Sequence, residues 1–138
     1  MDIEKVEPQA VEQLCSGTIG MVCFDKNYAY KNIPIDRTHW MREYSVLHKL
    51  HKYSHSNLIK LLDCKYHVYD IKSVPTCCFQ MKFPKYESIL SETITSDAVL
   101  LQILIDVISA LALCHSMNIW HRDIKFDNVM MYNSRAIL

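Results

Sequence analysis

The chain has 138 residues and half of them are hydrophobic, enough to build a core, so a disordered chain is excluded. Fifteen Lys and Arg balance fifteen Asp and Glu, and a formal charge of zero offers no field that would recruit nucleic acid or an anionic membrane surface. Partner choice must therefore come from a site.

The opening MDIEKVEPQAVEQL is acidic where a secretory leader is basic and then apolar. No targeting segment is expected there, and the chain is read as intracellular, cytoplasmic or nuclear. Next, QLCSGTIGMVCF and YAYKNI are rich in β-branched, aromatic and apolar residues, with the turn formers Asp25 to Asn27 between them; they predict a hairpin followed by a return strand. A helix is predicted over DRTHWMREYSVLHKLHKY, with Asp36 as N-cap and Trp40, Tyr44, Leu47 and Leu50 at helical spacing. Glu43 falls on that apolar stripe. A buried carboxylate there requires a cationic partner, whereas one at the stripe's edge would sit in water, and periodicity leaves both open.

Two further strands are predicted at NLIKLLDC and TCCFQMKF, with KYHVYDIKSVP as a polar connector between them and FPKY as the connector that follows. A helix is predicted from Ser96 to about Ser116, capped by Ser96 or Asp97. Val99, Leu100, Leu101, Ile103, Leu104, Ile105, Val107, Ile108, Leu111 and Leu113 make it apolar nearly all round, so it needs protein on most sides. Gln102, Asp106 and Ser109 within it, and its short length, argue against a membrane span. The six cysteines, Cys15, Cys23, Cys64, Cys77, Cys78 and Cys114, lack paired C-x-x-C spacing and read as small core hydrophobes. Cys64-x-x-His67 with Cys77-Cys78 fits no common metal-ligand pattern.

After the long helix comes IWHRDIKFDN, which places an acid at Asp123, an ammonium at Lys125 and an amide at Asn128. A solvated charged turn would not account for that choice of residues. The pattern H-R-D-x-K-x-x-N resembles the catalytic loop of eukaryotic protein kinases. The resemblance implies that Asp123 orients and deprotonates a substrate hydroxyl, Lys125 neutralises the transferring phosphoryl group and Asn128 holds magnesium. Phosphoryl transfer needs little covalent chemistry from a protein and much positioned charge, which one irregular loop can aim inward.

Upstream segments extend the resemblance in order. Both glycines of the chain, Gly17 and Gly20, lie in LCSGTIGMV, which is similar to the glycine-rich loop L-G-x-G-x-x-G-x-V; the implied ATP-binding residues are Leu14, Cys15, Ser16, Gly17, Thr18, Ile19, Gly20, Met21 and Val22. Cys15 stands in place of the first glycine. YAYK resembles V-A-I-K, making Lys31 the phosphate-binding lysine and Ala29 part of the adenine roof, and REYSVLHKLHKYSHSNLIKLLD looks like the helix and strand that supply its partner, Glu43. MKFPKYESIL looks like the last small-lobe strand and hinge, with Phe83 beside the adenine and backbone groups near Lys85 and Tyr86 bonding it; Phe79 fits the same role in a register four residues earlier.

The implied fold is α+β and protein-kinase-like: an antiparallel-sheet small lobe with one helix, plus the first part of a helical large lobe, with ATP between them. Residues from about 9 to 86 would form the small lobe and hinge, and about 87 to 138 the large lobe through the catalytic loop. Lys125 follows the serine/threonine pattern, so transfer from Mg-ATP to a Ser or Thr hydroxyl is implied, although Phe126 replaces the usual proline. The resemblance runs from about Gln9 to Leu138 and stops before D-F-G, whose aspartate would bind magnesium, so the 138 residues alone are expected to be weak or inactive. A non-catalytic interaction module or decoy for a full-length kinase is the alternative. A small-molecule phosphotransferase of the aminoglycoside type ranks third, because its loop reads H-G-D and lacks the lysine. The implied partners are a protein substrate or a full-length kinase, with self-association through the uncovered helix 96–116.

Overall fold

The computed structural model describes residues 14–16, 20–36, 38–71, 73–88 and 94–138. The chain divides into two compact units, residues 1–47 with 61–85, and residues 48–60 with 86–138.

The first unit is an antiparallel sheet in the order β1-β2-β3-β5-β4, formed by β1 (Leu14–Ser16), β2 (Met21–Phe24), β3 (Tyr28–Pro34), β4 (Asp63–Ile71) and β5 (Val74–Pro84). The predicted β2–β3 turn is present. Asp25 builds it: its Oδ1 accepts from the Asn27 and Tyr28 amides at 2.8 and 2.7 Å, and its Oδ2 accepts from the Tyr30 hydroxyl at 2.6 Å. The same bond pushes the Tyr30 hydroxyl up to about 12, after the larger effect of burial.

Because β side chains alternate, the register Ile33 to Phe79, Lys31 to Met81 and Ala29 to Phe83 sets these six residues on one face of the sheet. Helix α1 (His39–His51) lies on that face through Trp40 and Tyr44, whose rings stand 4.6 and 5.3 Å from Phe79. On the other face Asn32 and Gln80 are buried but satisfied: Gln80 Nε2 donates to Asn32 Oδ1 at 3.0 Å and to the Tyr69 hydroxyl.

Two sequence expectations shift here. The helix starts at His39, so Asp36, exposed in a turn, is not its cap; the Thr38 carbonyl just before the helix accepts from the Met41 amide at 3.2 Å. KYHVYDI is strand rather than connector: β4 begins at Asp63, and residues 57–62 precede it without strand pairing. At the sheet's edge, β4 is hydrogen-bonded to β5 alone and tolerates polar residues such as Lys65 and His67. Ile71 pairs with Val74, and Ser73, just before β5, has φ 63°.

In the second unit, α2 (Asp97–Ser116) starts as expected at Ser96, whose Oγ accepts from the Val99 amide at 3.3 Å. A small sheet, β6-β7-β8, joins β6 (Glu87–Ser88), β7 (Met130–Tyr132) and β8 (Arg135–Ile137). Asn133 and Ser134, with φ 49° and 62°, form the turn between β7 and β8. Strand β6 directly follows the FPKY connector, in the segment that resembles the hinge, and is not among the strands expected from the sequence; two residues are too few to show a period.

Helix α2 buries one stripe, Ile103, Asp106, Val107, Ala110 and Cys114. Asp106 is 1% exposed and accepts from four groups: Arg135 Nε (2.9 Å to Oδ2), Arg135 Nη2, the Ala136 amide (2.9 Å) and Gln102 Nε2 (3.0 Å). The Arg135 guanidinium, with these amides, outweighs burial and holds the carboxyl down to about 2. By length and composition α2 would suit a membrane span, yet this carboxylate at its middle is matched to protein donors. On the opposite side Leu101, Leu104, Ile105 and Ile108 are exposed. The segment 48–60 is tied to the end of the chain: Asn57 Nδ2 donates to Ala136 O at 2.9 Å, and the Leu138 amide and carbonyl bond Asn57 and Ile59, each at 2.9 Å.

Candidate active site

Lys31 and Glu43 meet because alternation on β3 and the helical stripe on α1 aim both at the same face of the sheet. Lys31 Nζ donates to both carboxylate oxygens of Glu43 at 2.7 Å, and the side chains are 28% and 30% exposed. Of the two sequence alternatives for Glu43, half-buried with a cationic partner is the one found. A lysine ammonium has three donors, and this pairing engages two.

Val22 stands across from Lys31 in the β2–β3 register, and Ala29 across from Phe83, so the three small-lobe candidates and Phe83 share the face that bears the ion pair. Phe79 is committed elsewhere, in the ring cluster with Trp40, Tyr44 and Tyr66. Leu14, Cys15 and Ser16 form β1 and pair with Cys23, Val22 and Met21; Gly17, Thr18 and Ile19 lie outside the described residues. At Gly20 a Cβ would come within 2.5 Å of the Asn32 carbonyl oxygen, so only glycine lets β2 enter the sheet this close to β3. Among the hinge candidates, the Lys85 amide is already bonded to Asn27 O at 3.1 Å. The Tyr86 hydroxyl accepts from the Lys60 amide at 3.0 Å and its ring meets Tyr132 at 5.5 Å.

The loop after α2 brings Asp123, Lys125 and Asn128 together. Arg122 has φ 67°, a left-handed bend that lets the following residues turn back, and a one-turn 3₁₀ helix at Phe126–Asn128 carries Asn128 around to Asp123. Asn128 Nδ2 donates to both the carbonyl and Oδ2 of Asp123 at 2.8 Å, and Lys125 Nζ lies 3.2 Å from the same Oδ2. The Lys125 ammonium, then the Asn128 amide, hold the Asp123 carboxyl below its ordinary value, although it is 62% exposed. Both hydrogen bonds to Asp123 are made by the amide nitrogen, so the side-chain amide oxygen of Asn128 is not used in them and could hold a hard cation, which prefers oxygen ligands. Asp123 Oδ1 is likewise not used by Lys125 or Asn128.

Among the described residues the cysteines form no comparable site. Cys64 and His67 stand three residues apart on β4 and so point to opposite faces, and no group of three metal-ligating side chains occurs among the described residues. Burial pushes the Cys23 and Cys114 thiols up and that of Cys78 to about 11, which leaves them unreactive. The Asp106 network escaped the sequence reading because its partner, Arg135, is 29 residues away; a lone aspartate on the buried stripe of an apolar helix was the available signal.

The protein kinase domain family matches residues 9–137. The probable casein kinase II subunit alpha homolog of Encephalitozoon cuniculi is 34% identical over 107 residues, which cover 76% of this chain and 31% of that protein. The chain thus spans under a third of the length of that relative. With the lysine–glutamate pair on the sheet, the Asp123, Lys125 and Asn128 constellation and a match over nearly its whole length, the chain belongs to the protein kinase domain family.

Proposed function

We propose that this domain transfers the γ-phosphoryl group of Mg-ATP to a serine or threonine hydroxyl of a protein substrate. The observation that carries the reading is the convergence of Lys125 Nζ and Asn128 Nδ2 on one carboxylate oxygen of Asp123. Asp123, fixed by these donors, is positioned to orient the acceptor hydroxyl through a carboxylate oxygen. Its lowered proton affinity makes it a weak base, suited to take the proton only once bond formation to phosphorus has advanced. Lys125 is free to swing from Asp123 toward the phosphoryl oxygens, since the pair is exposed and weakly held. Lys31, with its third donor, binds the α- and β-phosphates while Glu43 holds it in place, and Phe83 rather than Phe79 sits beside the base, across from Ala29. Asn128 would hold magnesium through its side-chain amide oxygen. When bound, magnesium would neutralise phosphate charge.

Residues 129–138 contain no D-F-G, so in the 138-residue polypeptide taken by itself the proposed metal set is one neutral oxygen, and we expect weak nucleotide affinity with little transfer. The acceptor class is tested in a longer polypeptide of the same gene that carries D-F-G after Leu138, by phosphoamino-acid hydrolysis after transfer of radiolabel to mixed proteins, with an aminoglycoside as competitor. Label on serine and threonine supports the proposal; label on tyrosine alone, or on the aminoglycoside, overturns it.

A further inference from the structure

Lys85 lies in the segment that resembles the hinge, and its side chain makes a separate connection. Its amide donates to Asn27 O and its Nζ to Asp25 O, each at 3.1 Å, and Nζ lies 5.9 Å from the Phe24 ring. One residue at the end of β5 thus grips both ends of the three-residue β2–β3 turn. The turn is internally rigid already, with the Asp25 carboxylate accepting from Asn27, Tyr28 and Tyr30. Beside it, Lys82 Nζ sits 3.7 Å over the Tyr28 ring. At its other end β2 is seated by Gly20 against the Asn32 carbonyl. Strand β2 is therefore pinned at two points, and Val22 lies between them.

We propose that Lys85 is a positioning residue: by clamping the β2–β3 turn to the end of β5 it fixes β2, and with it Val22, at the height needed to cover the base of a bound nucleoside triphosphate. The role rests on the nucleotide reading given above. Strand β2 pairs with β3 along its four residues and with β1 from Met21 to Cys23, which leaves Phe24, next to the turn, held on one edge alone; losing the Lys85 side-chain bond there lets that end of the strand lift and the cover loosen. The phosphate-binding Lys31 is on β3, pinned by β5 along its whole length, and is not moved by the same loss.

The test uses the full 138-residue chain and Lys85→Met, Lys85→Arg and Lys31→Met versions. Amide hydrogen exchange over residues 22–28 reads the clamp without any ligand, and titration with a fluorescent ATP analogue in magnesium reads the cover. Lys85→Met should speed exchange at Asn27 and Tyr28 and raise the nucleotide Kd roughly three- to tenfold, the range for one charge-assisted hydrogen bond partly open to water. Lys85→Arg, which keeps a donor at that reach, should restore both to within about twofold. Unchanged exchange in Lys85→Met overturns the clamp. Faster exchange with an unchanged Kd overturns the positioning role while the nucleotide reading stands, provided Lys31→Met weakens binding. Absence of binding by the unaltered chain, or binding indifferent to Lys31→Met, removes the nucleotide reading and the positioning role with it, leaving the clamp to be judged by exchange.

Discussion

Replacing Asp106 should unlock the second unit. The carboxylate is buried and receives four donors, of which Arg135 supplies two in a fork that only a carboxylate matches. The carboxyl is held down from its ordinary 3.8 to about 2, and at about 1.4 kcal/mol per tenfold change in proton affinity this corresponds to roughly 2.5 kcal/mol of stability at neutral pH. Asp106→Asn keeps the size but offers one acceptor oxygen, so a loss of about 2–3 kcal/mol is expected. Asp106→Ala leaves the guanidinium and two amides without acceptors, and about 3–5 kcal/mol is expected. The pH dependence has a definite sign. The folded pKa is depressed, so the contribution is complete above about pH 4 and fades as pH falls toward 2, and Asp106→Asn should remove that part of the acid sensitivity. Urea unfolding followed by circular dichroism at 222 nm, where the 20-residue α2 dominates, at pH 7 and pH 3 measures both effects. An Asp106→Asn protein within about 0.5 kcal/mol of the original, with the same loss on acidification, would refute the reasoning.

Gly20→Ala sets a methyl 2.5 Å from a backbone oxygen that no rotamer change can move, so about 1–3 kcal/mol of stability should be lost in a thermal melt. Lys31→Met should weaken binding of the ATP analogue by at least roughly tenfold with the far-UV spectrum unchanged, and Glu43→Gln should weaken it less; equal affinity in all three proteins would count against the Lys31 assignment. The exposed Leu101, Leu104, Ile105 and Ile108 stripe should make the 138-residue chain self-associate and bind a hydrophobic dye, and Leu104→Lys with Ile108→Lys should suppress both; a clean monomer at high concentration would count against this.

The features legible in the sequence were those fixed by short-range chemistry. The residues of the 123–128 constellation lie within six positions, and Ser96 caps α2 from directly before it. Lys31 and Glu43 were legible because each lies on a periodic element whose face could be inferred. What escaped depends on the third dimension. Strand β4 looked like a loop because an edge strand carries few of the apolar residues that mark a central one. Phe79 and Phe83 have the same parity on β5, so only packing on Trp40 and Tyr44, against pairing with Ala29, separates them. The side-chain reach of Lys85 to Asp25 spans 60 residues and leaves no periodic trace.

The central claim is that the Asp123 carboxylate, held by Lys125 and Asn128, carries phosphoryl transfer. Its most direct measurement is the dependence of label transfer from γ-labelled ATP on Asp123, using a serine/threonine protein substrate. It should be read in the 138-residue chain and in any longer polypeptide of the same gene that carries D-F-G after Leu138. The account predicts transfer in the longer form that falls by roughly three powers of ten or more in Asp123→Asn, with the short form near background in both versions. Robust transfer that survives Asp123→Asn would contradict it.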